Sequence, residues 1–175
     1  MIPLVAATAA EFDTRDMTRT DAEQIANWQY PEPYRMYNMD GTPEAIEELL
    51  NRSYMAVDLL GPLGRRDRTL FGFYCVGVPA QVPGMHPSGA YDSGEGDVID
   101  LGLGMRPDAT GQGFGDAFLT HILRDIAASH PGAPVRLTVA QWNARAIRLY
   151  EKHGFRLSGV YMKGNVAFQV MYRNC

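Results

Sequence analysis

Gly111, Gly113 and Gly115 alternate within Thr110-Gly111-Gln112-Gly113-Phe114-Gly115-Asp116. An apolar run ending in Leu103-Gly104-Met105 precedes them, and a run with helical spacing follows. Glycine lets main chain approach a ligand closely because no side chain intervenes. A helix start contributes unpaired N–H groups and a partial positive charge. Strand, glycine loop and helix start together make a phosphate cradle built from main chain. Taken alone, the same residues also suit a turn that only eases helix packing.

The spacing excludes two familiar loops. No Gly-Lys-Ser/Thr follows, as the phosphate loop of nucleotide hydrolases requires. The G-x-G-x-x-G dinucleotide fingerprint is absent, and this loop follows the fourth predicted strand rather than the first. Beyond the loop, Phe114, Phe118, Ile122 and Ile126 recur at helical spacing beside Leu119 and Leu123. That stripe can pin the helix to a sheet and aim its start.

A second constellation lies at Asn143-Ala-Arg-Ala-Ile-Arg-Leu-Tyr150-Glu-Lys-His-Gly154-Phe155. Asn143 suits a helix N-cap and Gly154 the position past the C-cap. Asn143 and Tyr150 share one helix face, separated by roughly 10 Å of rise. A phenol placed there can donate a hydrogen bond or act as a general acid. Core packing for Tyr150 and simple capping for Asn143 remain open from this helix alone.

The elements that must position these groups follow from pattern. A strand is predicted over 11–17. A helix over 21–28 is capped by Thr18 or Thr20 and stopped by Pro31 and Pro33. A second helix starts at Thr42-Pro43-Glu44. Strands over 53–60 and 69–78 form a hairpin through a loop at 61–68, whose Arg65, Arg66 and Arg68 are read as solvated. A long Pro/Gly/Ser-rich loop covers 79–96. Then come a strand at 97–105, a helix at 113–129, a strand at 135–141 and a helix at 143–153. Two last strands, 155–163 and 166–173, pair around Lys163-Gly164-Asn165. The order β-α-α-β-β-β-α-β-α-β-β describes one α/β (α+β) domain with a mixed sheet flanked by helices. Residues 1–10 are read as an N-terminal extension.

Composition bounds the rest. The chain has 175 residues, 46% of them hydrophobic, and a formal net charge of −4. That balance argues against nucleic acid or an anionic membrane as partner. No run is long enough to span a bilayer. Cys75 and Cys175 are the only cysteines, and neither disulfide nor zinc spacing is present. A cytoplasmic location and no metal are therefore expected. His86, His121, His130 and His153 are scattered and read as surface or packing residues.

The two motifs together resemble the GCN5-related N-acetyltransferase (GNAT) superfamily. Its pyrophosphate loop, Gln/Arg-x-x-Gly-x-Gly/Ala, is similar to Thr110 through Gly115, with Thr110 standing where Gln or Arg is usual. Its later Asn…Leu-Tyr-x-Lys-x-Gly-Phe signature is met at Asn143, Leu149, Tyr150, Lys152, Gly154 and Phe155. Matching covers residues 97 to 156, and the second motif looks like ribosomal-protein-alanine acetyltransferases.

The resemblance implies a mostly antiparallel sheet and acetyl-CoA as co-substrate. It implies an acetyl group moved directly to a primary amine, on a small molecule or a peptide. Main chain at Leu103 and Met105 would pair with the pantetheine amides. Amides around Gly111, Gln112, Gly113, Phe114, Gly115 and Asp116 would hold the pyrophosphate. Asn143 would bond the pantetheine arm, and Tyr150 would protonate the departing thiolate.

Relatives often carry a base on the fourth strand, where Asp97 and Asp100 stand. Asp100 shares a strand face with Gly102 and Gly104, beside space that something else could fill, and is preferred on that ground. In this fold the region of Trp28, Tyr30, Tyr34 and Tyr37 borders the acceptor site, with Glu32, Asp40, Tyr91 and Asp92 as contacts for a cationic amine. Those aromatics serve equally as packing for a short loop. An acyl-CoA-binding regulatory module without turnover is the alternative function, and a homodimer is left open.

Overall fold

The computed structural model describes residues 6–85, 89–91 and 97–174. Among them run β1 (Glu11–Asp16), α1 (Arg19–Ala26), α2 (Pro43–Leu49), β2 (Tyr54–Gly61), β3 (Gly64–Val76), β4 (Ile99–Met105), α3 (Gly115–Ser129), β5 (Val135–Ala140), α4 (Ala144–Lys152), β6 (Arg156–Lys163) and β7 (Val166–Arg173). The strands form one sheet in the order β1-β2-β3-β4-β5-β7-β6. β4 is parallel to β5 over Ile99–Leu101 against Val135–Leu137, whereas β1–β2, β5–β7 and β6–β7 are antiparallel. The predicted class, a mixed and mostly antiparallel sheet flanked by helices, is what forms. No described helix is long and apolar enough to cross a membrane. Two compact units make up the chain: Met1–Tyr74 with Leu103–His121, and Cys75–Gly102 with Ile122–Cys175.

In the first unit α1 starts after Thr18 rather than Thr20. Thr18 Oγ1 accepts the Asp21 N–H, and the Asp21 carboxylate accepts the Thr18 N–H, so two orphan donors are satisfied reciprocally. Thr42 caps α2, and Pro43 takes its first position. β3 starts earlier than its pattern predicts. Pro62-Leu63 alone turn the hairpin, with Gly64 at φ +63°, and most of the predicted loop is strand.

Arg65, Arg66 and Arg68 are exposed, as read, but Arg68 is also paired. It donates to Asp13 at 2.6 Å and to Asp58 at 3.3 Å. Arg15 on β1 also holds Asp58, at 2.7 Å, and reaches Asp21 at the start of α1. Asp21 and Asp58 are both buried, so these guanidinium bonds answer charges that would otherwise be costly. Desolvation opposes ionisation of Asp21, yet the Arg15 and Thr18 hydrogen bonds outweigh it and hold the carboxyl below the usual range.

A depressed folded pKa contributes stability above the unfolded value of about 3.9, lost as pH falls through the folded value. The thermal midpoint is therefore expected to drop steeply below about pH 4. Asp21→Asn should flatten that acid limb. An acid limb of unchanged steepness in the variant would refute the linkage.

The start of α3 is set by aromatic packing in the same unit. Phe71 lies 4.9 Å from Phe12, 5.2 Å from Phe114 and 5.3 Å from Phe118, ring centre to ring centre. The predicted apolar stripe is the buried face: Phe114, Phe118, Leu119, Ile122, Leu123 and Ile126. His121 joins that packing beside Phe12 and bonds Thr14 Oγ1 at 2.7 Å.

In the second unit β5 pairs along its whole length with β7, and β6 returns against β7 through Gly164-Asn165. Met85, Ala90, Tyr91, Ala140, Phe168 and Val170 form a core cluster. The described part of the long loop is therefore anchored: Met85 and Tyr91 are buried, and Tyr91 Oη accepts the Val82 N–H at 2.7 Å and bonds Thr138 at 3.0 Å. His86 and Asp92 lie outside the described residues.

Candidate active site

The glycine loop has the backbone that its sequence suggests. A short 3-10 turn, Pro107–Ala109, leaves β4, and Gly111 (φ +72°) and Gly113 (φ +86°) take conformations that side chains disfavour. Gly115 is the first residue of α3. Thr110 turns its hydroxyl inward to the Pro107 carbonyl at 2.8 Å, and Gln112 donates to the Asp108 carbonyl at 2.6 Å. Both side chains brace the loop. Gly111, Gln112 and Gly113 are exposed, while Ala109 and Phe114 are buried on either side. The result is an exposed arc of main chain leading into a helix start, clamped at both ends.

The last residues of β4 present a second set of main-chain groups. Gly77 N–H donates to the Asp100 carbonyl at 2.9 Å, and Arg106 N–H to the Phe71 carbonyl at 2.8 Å. Both bonds fit one antiparallel β3–β4 register, in which even-numbered β4 residues turn their polar groups to β3. Alternation turns those of Leu103 and Met105 away from β3.

Asp100 stands differently from its sequence reading. It is buried, and its carboxylate accepts Arg136 Nε and Nη2 and Gln81 Nε2, the last two at 2.8 Å. The Asp100 bond holds the Arg136 guanidinium above its ordinary pKa. That guanidinium lies 5.2 Å from the Tyr91 ring centre and 5.7 Å from that of Tyr172. The expected open space is filled by protein. A Cβ on Gly102 would meet Cys75 Sγ at 3.0 Å, and one on Gly104 would meet the Phe73 ring. The missing side chains make room for β3, not for a ligand. Asp97 is exposed just before β4.

On α4 the predicted bounds hold. Asn143 is a buried N-cap whose Oδ1 accepts the Ala146 N–H at 3.2 Å. Gly154 takes φ +89°, and Phe155 N–H returns to the Tyr150 carbonyl at 3.0 Å. The partly buried Tyr150 ring stands edge-on to the fully buried Phe155, centres 6.0 Å apart. Phe155 thus braces Tyr150 from the turn that ends its own helix.

The aromatic group after α1 divides. Trp28 packs on Phe73, ring centres 6.4 Å apart. Tyr30 donates its hydroxyl to the Met105 carbonyl at 2.6 Å, and burial raises its phenol pKa, so it stays a neutral donor. Tyr34 and Tyr37 belong to one 3-10 turn, with Tyr37 exposed. Glu32 faces Arg35 at 3.5 Å, and Asp40 accepts the Thr42 N–H and hydroxyl.

Leu103, Met105 and Gly111–Asp116 thus fall in the first unit, and Asp100, Asn143 and Tyr150 in the second. Sequence reading missed Arg136 and the Tyr30–Met105 bond. An arginine inside the apolar strand Val135-Arg136-Leu137 was the available signal, since buried charge demands a partner.

A mixed seven-stranded sheet whose fourth strand feeds a glycine loop and a clamped helix start is a fold the chain shares with a solved GNAT-family acetyltransferase. The family model described as acetyltransferase (GNAT) family matches residues 21–155, and the chain belongs to that family. Its members use acetyl-CoA as acetyl donor.

Among solved structures, the chain is similar to an uncharacterized protein from Bacillus halodurans (15% identity, TM-score 0.71, covering 96% of this chain and 86% of that one). It is also similar to a GNAT-family acetyltransferase from Bacillus anthracis (17%, 0.66, 94% and 96%). A third is the spermidine/spermine N-acetyltransferase from Vibrio cholerae in variant forms (15%, 0.58, 94% and 95%). At such identities the likeness concerns the fold. No curated protein sequence matches the chain. The finer likeness to ribosomal-protein-alanine acetyltransferases finds no support in these matches.

Proposed function

We propose that this acetyltransferase binds acetyl-CoA along β4 and the glycine loop and passes the acetyl group directly to a primary amine. The observation that carries the proposal is the loop itself: positive-φ glycines at 111 and 113, exposed main chain, and a helix start fixed by Phe71 and Phe118. Main-chain N–H groups from Gly111 to Asp116 meet the diphosphate. Leu103 and Met105 offer outward-turned N–H and C=O groups to the two pantetheine amides. Asn143 contributes its side-chain amide to the same arm.

Tyr150 is the general acid in this assignment. A thiolate of pKa near 8.5 leaves more readily when a phenol donates to it. We assign Asp100 to holding Arg136 and not to proton removal, because both its oxygens already accept guanidinium N–H groups. The proton of the attacking amine then passes to solvent water.

The acceptor is a small amine or a peptide N-terminus, bordered by the segment after α1. The polyamine acceptor named for one structural neighbour makes polyamines a sensible first panel. A cytoplasmic location fits such substrates.

The deciding experiment is thermal unfolding with acetyl-CoA, CoA, ATP and NAD in parallel. At a hundredfold excess over the dissociation constant, acetyl-CoA and CoA should each raise the midpoint by about 5–10 °C. ATP and NAD should leave it in place. Protection by ATP or NAD with none from CoA would overturn the proposal.

A further inference from the structure

We infer that Tyr30 is a positioning residue for the cofactor, because its phenol fixes the carbonyl at the end of the β4 ledge. The inference rests on the function proposed above. Three observations converge on one peptide group. Met105 turns its carbonyl away from β3, and its partner there is the Tyr30 hydroxyl at 2.6 Å. The N–H of the same peptide, on Arg106, is fixed from the opposite side by the Phe71 carbonyl at 2.8 Å. The described pairing of β4 with β5 covers Ile99–Leu101, which leaves this carbonyl to Tyr30.

The peptide plane is therefore held from both edges. A carbonyl oxygen has two lone pairs, so the Tyr30 bond leaves one acceptor site for a pantetheine N–H and fixes its direction. Tyr30 is itself held: its backbone N–H donates to Asn38 Oδ1 at 2.6 Å, and Asn38 Nδ2 donates to Gln29 at 3.0 Å. The segment after α1 thus reaches the cofactor ledge through one neutral hydrogen bond. A phenol kept protonated by burial supplies that bond across the working pH range.

Tyr30→Phe removes the hydroxyl and keeps the ring. Calorimetry with CoA, and separately with adenosine 3′,5′-bisphosphate, which lacks pantetheine, separates positioning from general damage. The variant should bind CoA about three- to tenfold more weakly, the range of one neutral hydrogen bond. Binding of the bisphosphate should be unchanged. Turnover should show a raised KM for acetyl-CoA with kcat preserved.

Equal weakening of both ligands, or unchanged CoA affinity, overturns the inference. Asn38→Ala, which loosens the Tyr30 segment without touching the phenol, should give the same split in smaller measure. It serves as the second variant if Tyr30→Phe unfolds, and absence of the split there also overturns the inference. Failure of the wild type to bind CoA would sink the proposed function, whereas wild-type binding with no variant effect sinks only the role of Tyr30.

Discussion

Tyr150→Phe is expected to lower kcat by about 10²-fold, with acetyl-CoA affinity nearly unchanged. General acids contribute 10²- to 10⁴-fold, and thiolate expulsion needs less help than alkoxide expulsion, so the lower end applies. Phenylalanine keeps the ring that stands against Phe155 and removes only the proton donor. The thermal midpoint should therefore stay within a few degrees of wild type. Steady-state rates at saturating acetyl-CoA and amine, with a parallel titration of CoA affinity, check both halves. An unchanged kcat removes Tyr150 from the chemistry. A loss confined to CoA affinity moves it to the binding arm.

Asp100→Ala should destabilise the fold by about 3–5 kcal/mol, the usual result of leaving a buried charge unpaired. For a chain of this size that is a fall of about 6–20 °C in the midpoint. Arg136 is the reason. It is buried, it donates twice to Asp100, and its other neighbours are the Tyr91 and Tyr172 rings and the Tyr172 hydroxyl at 3.3 Å. The double variant Asp100→Leu with Arg136→Met should recover much of the loss, since it removes both charges together. If instead Asp100→Asn folds as stably as wild type and abolishes turnover, the carboxylate is the base and its structural assignment is wrong.

Local chemistry made most of the fold legible. Thr18, Thr42-Pro43 and Gly154 announce helix ends because capping is decided within a few residues. The stripe from Phe114 to Ile126 announces its buried face for the same reason. The glycine loop and the Asn143–Tyr150 helix were legible as candidates, since each is a short continuous motif.

What pattern could not supply was pairing between distant strands. Gly102 and Gly104 look like open ground until the register sets Cys75 and Phe73 against them. Arg68 is exposed as its sequence suggests, but its bond to Asp58 shows only once the two-residue turn is known. Tyr30 and Met105 are far apart in the chain, and no local rule joins a phenol after the first helix to a carbonyl on the fourth strand. Each of these depends on which residues lie across from one another, and several registers satisfy the same local preferences.

The notch at Gly102 has a practical corollary. Cys75 fills it and is buried, with Ala80 over the same notch, so a thiol-modifying reagent can reach this sulfur only after the packing on that face of the sheet opens. With Cys175 replaced by serine, the rate of Cys75 labelling becomes a built-in clock for the opening of that cover.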